Sequence, residues 1–172
     1  MPKVVQSIFA FVLAVLVLGL LVAFVIIPYK VDGTNMAPAL SQDDRLLINK
    51  IKPRLNLLNH GDIIVFRHQD QYHIGRIIGQ QGQSVVFKNG QLELDYQPVE
   101  EPYLKQKSNE TWSARTLPNA QSDIIPPHTY LVMNDQRHNR YDSRQYGLVD
   151  KKDVIGNVMI RYYPFEHITV NF

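Results

Sequence analysis

The sequence predicts a mainly β protein: an N-terminal transmembrane helix followed by an antiparallel, β-barrel-like domain. Three observations point there. An unbroken apolar run extends from Ile8 to Ile27. Past Tyr29 the chain breaks into short β-type runs bounded by turn residues. No later stretch sustains a helical period.

The apolar run comes first. Its 20 residues rise about 1.5 Å each and reach roughly 30 Å, the hydrocarbon thickness of a bilayer. Gly19 is the one weak member. A cleaved signal peptide carries a shorter apolar region and a small-residue cut site, whereas this run leads into Ile26, Ile27, Pro28 and Tyr29. A core helix of a soluble protein would keep a polar face. The expected organisation is therefore a short cytoplasmic N-terminus over residues 1–7, a signal anchor over 8–27 and an extracytoplasmic domain over 28–172. Orientation rests on a small charge bias. The α-amino group and Lys3 precede the span, while Lys30 is followed closely by Asp32.

Strands are expected at Arg45–Asn49, Asp62–Arg67, His73–Ile78, Ser84–Lys88, Gln91–Leu94, Tyr130–Met133, Val154–Tyr162 and Ile168–Asn171. Asn89-Gly90 separates two of them and signals a tight hairpin, since both central positions of that turn need positive φ. The polar, turn-rich stretch 105–127, with its isolated Trp112, reads as a variable surface excursion between strands.

Composition excludes several function classes. Lys and Arg total 18 against 16 Asp and Glu, and no basic run suggests nucleic acid. Cysteine is absent, which removes disulfides, thiolate metal sites and a cysteine nucleophile together. The six histidines form no i, i+4 pair, so no metal is expected, and no motif calls for a cofactor. Asn109-Glu110-Thr111 fits a glycosylation sequon, a short and unspecific match.

Chemistry concentrates in three stretches. V-D-G-T-N-M-A-P-A-L, Val31 to Leu40, looks like the frame of an active-site turn with Asn35 at its centre. G-R-I-I-G-Q-Q-G-Q spans Gly75 to Gln83, and N-D-Q-R-H-N-R-Y-D-S-R-Q-Y-G-L-V spans Asn134 to Val149. In this order, behind a membrane anchor, they resemble the boxes of the type I signal peptidases (peptidase S26), membrane-anchored serine proteases with a Ser–Lys dyad. Val31, Gly33, Met36, Pro38 and Leu40 match the serine box V-x-G-x-S-M-x-P-T-L, but Asn35 stands for the serine and Ala39 for the threonine. Arg76, Ile77, Ile78, Gly79 and Gly82 match the lysine box K-R-I-I-G-x-P-G-D, with Gly75 for the lysine. Asp135, Arg137, Asn139, Asp142, Ser143, Arg144, Gly147 and Val149 match the third box. Its first serine, which supports the lysine in the family, is Arg140 here.

The resemblance implies a signal-peptidase domain, and the departures imply lost catalysis. An attacking hydroxyl must shed its proton to a neutral base. The Asn35 amide nitrogen is delocalised into its carbonyl, Gly75 has no side chain, and a guanidinium at Arg140 stays protonated. Thr34 is the nearest hydroxyl, and on an extended chain it would face away from Asn35. The chain thus resembles the catalytically inactive signal peptidase paralogues of Gram-positive bacteria. The family implies shallow substrate pockets, for which Met36, Ile74 and Ile77 are candidates beside their simpler role as core. Asp135, Arg137, Asp142, Ser143 and Arg144 read as a structural box held by ion pairs. Expected partners are the cytoplasmic membrane and either signal-peptide-bearing preproteins or an active peptidase. Two rivals stand: an active peptidase using unorthodox residues, and a purely structural membrane protein.

Overall fold

The computed structural model describes residues 3–172; residues 1 and 2 of the expected N-terminal segment lie outside the described residues. Helix α1 (Lys3–Val25) passes directly into strand β1 (Ile26–Lys30). The helix is long and apolar enough to cross a membrane. It ends two residues before the apolar run does. Ile27 precedes Pro28, a position that disfavours helix, and β1 finds a partner in β2 (Arg45–Asn49), Ile26 opposite Asn49 and Lys30 opposite Arg45.

The remaining elements follow in order. They are α2 (Ile51–Arg54), β3 (Ile63–His68), β4 (Gln71–Gln80), β5 (Val85–Lys88), β6 (Gln91–Leu94), β7 (Gln97–Val99), β8 (Trp112–Ser113), β9 (Thr129–Met133), α3 (Ser143–Tyr146), β10 (Val149–Asp150) and β11 (Val154–Tyr163). They build two antiparallel sheets, ordered β1-β2-β11-β3-β4-β9-β10 and β7-β6-β5-β8. Both sheets are open, so the barrel-like expectation becomes two sheets without closure. The short terminal strand β10 pairs with β9 alone, over Val149–Tyr130 and Asp150–Thr129.

The larger sheet is buried on both faces, which is why β3 reads as a continuous apolar run. Ile63 and Val65 enter one core with Val31, Met36, Leu40, Leu46, Ile48 and Ile74. Ile64 and Phe66 enter another with Ile77, Tyr130, Val132 and Val149. The smaller sheet packs a third core from Val85, Phe87, Leu92 and Leu94 against Ile78, Leu131 and Met133. Asn89 and Gly90 carry φ of 48° and 79° in the β5–β6 hairpin, the turn their pairing predicts.

Two expected elements differ. Ile168–Asn171 forms no strand; Thr169 makes only an isolated bridge to Arg161. The Asn171 backbone N–H donates to Thr169 Oγ1 at 3.1 Å, a local turn that competes with pairing. The 105–127 stretch is not wholly superficial. Trp112 stacks on Phe87 with centroids 4.6 Å apart, and Ala114, Leu117 and Ile125 are buried in the core of the smaller sheet. Polar neighbours hid these inward residues from a pattern reading.

The β2–β11 pairing leaves no room at Gly156. A Cβ there would lie 2.5 Å from Asn49 O and 2.6 Å from Ile48 Cγ2. Gly156→Ala is expected to destabilise the domain by about 1–3 kcal/mol through overpacking, measurable by chemical unfolding of the full chain in detergent.

Candidate functional site

The first box curls rather than extends. Val31 N–H donates to Asp44 O at 2.9 Å and Val31 O accepts from Asp43 N–H at 3.0 Å, which closes the base of the loop. Within it Ala37 N–H reaches Thr34 O at 3.0 Å and Leu40 N–H reaches Met36 O at 2.9 Å. Buried Val31, Met36 and Leu40 anchor the turn in the core that holds Ile74. The extended-chain argument about Thr34 therefore does not apply. What occupies Thr34 is a contact to Gln136, its Oγ1 donating to Oε1 at 3.4 Å.

Asn35 is tied to the third box twice. Its backbone carbonyl accepts from Gln136 N–H at 2.9 Å. Its Oδ1 accepts from Asn139 Nδ2 at 2.7 Å, and Asn139 is itself positioned because its Oδ1 accepts from Tyr141 N–H at 2.9 Å. Arg140 is exposed and faces Glu110 at 3.5 Å. Gly75 is closed in from the other side of the sheet. A Cβ there would lie 2.6 Å from Val132 Cγ1, 3.4 Å from Met133 O and 3.7 Å from Phe66 Cε1. The space at the base position is filled by neighbouring side chains.

The candidate pocket residues divide between faces. Met36 and Ile74 share one core, and Ile77 lies in the opposite one. A cavity of about 210 Å³ does open beside the boxes, walled by Ala37, Pro38, Lys105, Asp135, Gln136 and Arg137 among others.

Charge binds the boxes together. Arg76 lies between Ile74 and Ile78 on β4, on the face that alternation assigns to both of those residues. Its Nε and Nη2 donate to Asp135 Oδ1 and Oδ2 at 2.8 and 2.6 Å. Nη1 donates to Gly61 O at 2.9 Å, and the guanidinium lies 3.9 Å from the centroid of the Tyr103 ring. Burial pushes the Asp135 carboxyl above its ordinary range, while Arg76 and Arg137 pull it down. Arg137 pairs with buried Glu101, which also accepts from Tyr103 Oη at 2.7 Å. Burial and the Glu101 charge raise the phenol of Tyr103, so it stays a donor.

Further along the third box, Arg144 grips Asp142 through Nε at 2.9 Å and Nη2 at 2.7 Å, and donates to the carbonyls of Arg137 and Asn139 at 2.8 and 2.7 Å. Asp142 also caps α3, accepting from Arg144 N–H at 3.0 Å. Ser143 Oγ accepts from Val132 N–H at 3.0 Å, so this hydroxyl is committed to the sheet. Among the described residues no lysine amine hydrogen-bonds a hydroxyl; the amines with partners meet Asp43, Asp62, Glu93, Glu100, Asn56 and Asp150.

An aromatic group that the sequence reading missed lies next to Gly75. Phe66 and His73 have centroids 5.8 Å apart, His73 and Tyr141 5.4 Å, and His68 stacks on Tyr146 at 4.4 Å. The alternation of β4 puts His73 on the same face as Gly75, the one signal that could have found it. Burial, then the neighbouring His68, lowers the His73 pKa below the ordinary 6.5.

Two outcomes follow from these groups. Arg76→Met strands a buried carboxylate and is expected to cost about 3–5 kcal/mol in chemical unfolding, with the double variant Arg76→Met, Asp135→Leu recovering much of the loss. Between the lowered folded pKa of His73 and 6.5, the unfolded chain binds more protons than the folded one. Stability should therefore rise with pH through that window and fall on acidification. His73→Gln should flatten the slope in unfolding curves taken across it.

Comparison with known proteins agrees with this architecture. The family model described as "Signal peptidase, peptidase S26" matches residues 4–163. The chain is 44% identical over 172 residues to "Inactive signal peptidase IA" of Staphylococcus aureus strain COL, covering 100% of this chain and 99% of that relative. It is 32% identical to "Signal peptidase IB" of Staphylococcus aureus strain MRSA252, over 99% of this chain and 95% of that protein. A crystal structure of a signal peptidase I from Enterococcus faecalis V583 superposes with a TM-score of 0.54 at 27% identity, covering 58% of this chain and 95% of the other. With its anchor helix, paired sheets and three boxes in order, the chain belongs to the signal peptidase, peptidase S26, family.

Proposed function

We propose that this protein is a catalytically inactive signal peptidase homologue, anchored with its N-terminus in the cytoplasm and its β domain outside. There it holds signal-peptide-bearing preproteins or an active peptidase at the membrane surface. The observation that carries the reading is the state of the dyad positions. Asn35 is hydrogen-bonded to Asn139 at 2.7 Å, and the place for a lysine stem at Gly75 is taken by Val132. In a serine protease, loss of nucleophile or base alone costs about 10⁶ in kcat, roughly 8 kcal/mol of barrier. Both are missing here. The bond from Asn139 occupies Asn35 Oδ1 and leaves the Nδ2 end to donate to a visiting peptide carbonyl. The name of the 44% identical staphylococcal relative, "Inactive signal peptidase IA", supports the inactive reading.

Binding without cutting gives separable expectations. Incubated with a preprotein, the full chain should yield no product by mass spectrometry; cleavage after a small residue would defeat the reading. A photo-crosslinker at Ala37 should capture a preprotein or an active peptidase in membranes, and capture of neither would remove the holding role.

Restoration tests the dyad itself. Asn35→Ser alone should stay inactive. Adding Gly75→Lys should succeed only with Val132→Ala, which makes room for the lysine stem. Product from Asn35→Ser alone would mean that a base exists elsewhere.

A further inference from the structure

We propose that a basic cavity at the anchor end of the β domain binds the phosphate of an anionic lipid headgroup. The cavity measures about 590 Å³ and its walls include Lys50, Pro53, Arg54, His128, Lys151 and Lys152. It is remote in role from the boxes, none of whose dyad positions contribute to it.

Its place follows from register and covalent continuity. Ile26, the first residue after the anchor helix, pairs with Asn49. The next residue, Lys50, donates its backbone N–H to Val25 O, the last carbonyl of the helix, at 2.9 Å. No linker separates the cavity wall from the point where the chain leaves the bilayer. The headgroup layer is therefore its neighbour, whichever side of the membrane the domain occupies.

The charge of the cavity is largely uncompensated. Lys50 and Arg54 form no ion pair among the described residues, whereas Lys52 between them turns away to Asp62 at 2.7 Å. Lys151 Nζ meets the neutral amide of Asn56 rather than a carboxylate. Lys152 is the weakest contributor because Asp150 sits 2.8 Å away and Asp153 is close. Three unneutralised cations around one concavity attract an anion, and basic residues beside a membrane exit favour anionic lipid. Two leucines distinguish a lipid from a soluble phosphate. Leu55 and Leu57, which follow α2, are 61% and 53% exposed, an apolar surface suited to glycerol and upper acyl carbons. Buried Pro53 fixes α2 beneath them.

Native mass spectrometry of the full chain in detergent tests the assignment, using phosphatidylglycerol and phosphatidylcholine of matched short acyl chains and, separately, inorganic phosphate. One phosphatidylglycerol is expected to bind about tenfold more tightly than phosphatidylcholine. The triple variant Lys50→Gln, Arg54→Gln, Lys151→Gln should lose that preference. Arg54→Gln alone, at an exposed position, should weaken it, and Lys50→Arg should keep it. Lys105→Gln with Lys107→Gln, on another surface, should leave it intact. Equal binding of the two lipids, or a preference that survives the triple variant, would overturn the proposal. So would displacement of the lipid by millimolar inorganic phosphate, which would make the cavity a soluble-anion site.

Discussion

The buried pair between Arg76 and Asp135 is the constraint on which the rest of the domain depends. Its side chains are 1% and 0% exposed, so neither charge has water to fall back on. On β4 the arginine stands between Ile74, in one core, and Ile78, in another. Its partner belongs to the loop that follows β9. The pair thus stitches the second box to the third at the seam between two apolar cores. Breaking it by removing one member leaves an isolated ion in low dielectric, which is far worse than never having built the pair. A sequence that has lost its nucleophile and base still cannot easily lose this arginine. That asymmetry explains why the frame of the boxes outlives their chemistry.

Much of the fold was legible because the larger sheet obeys simple rules. Arg45–Asn49 and Gln91–Leu94 match observed strands residue for residue, since alternating burial marks each one. Asn89-Gly90 announced its own turn. What escaped had physical reasons. Ile26–Lys30 is a strand hidden at the end of an apolar run, where two bilayer-like isoleucines and a proline carry no period. Trp112–Ser113 and Val149–Asp150 are two residues each, too short for any periodicity. In the site, the arginines of the third box could be read as ion-paired, but not with whom. Arg137 finds Glu101 and Arg76 finds Asp135 across distances in sequence that only the sheet order closes. The curl that brings Asn35 to Asn139 was equally invisible, because it depends on the loop closure by Asp43 and Asp44.

The fate of position 75 shows how an active site closes once its chemistry is gone. A dyad lysine must be kept partly desolvated so that its amine is neutral, a costly state for a cationic side chain. Glycine removes both the charge and the stem, and the adjacent Val132 and Phe66 pack against the backbone that remains. Val132 is itself held in register by the hydroxyl of Ser143 at 3.0 Å. The third box therefore supports the filling of the base site with a residue that the family pattern shares. The filling lies on one face of β4, with Ile77 and Tyr130 in the same core, while the opposite face keeps Met36 and Ile74 beneath the serine-box turn.

The direct passage from α1 into β1 gives that retained turn its reach. Five strand residues separate Val25 from Val31, and at about 3.3 Å each they span roughly 17 Å. A flexible linker would let the domain tumble; here the anchor helix and the edge of the sheet share a continuous backbone, reinforced by the Lys50–Val25 hydrogen bond. At the anchor end β1 lies beside Asn49 and Lys50, and at its far end it delivers the chain into the Val31–Leu40 turn. Holding a substrate needs only such proximity, a groove edge and donors aimed outward, whereas cutting it needs a proton acceptor at a fixed atom. The turn belongs to backbone architecture that the ion pairs preserve, whereas the proton acceptor was one of two side chains that have gone. Preservation of the box frame and absence of the dyad are therefore two consequences of one fact: the scaffold and the dyad were built from different residues.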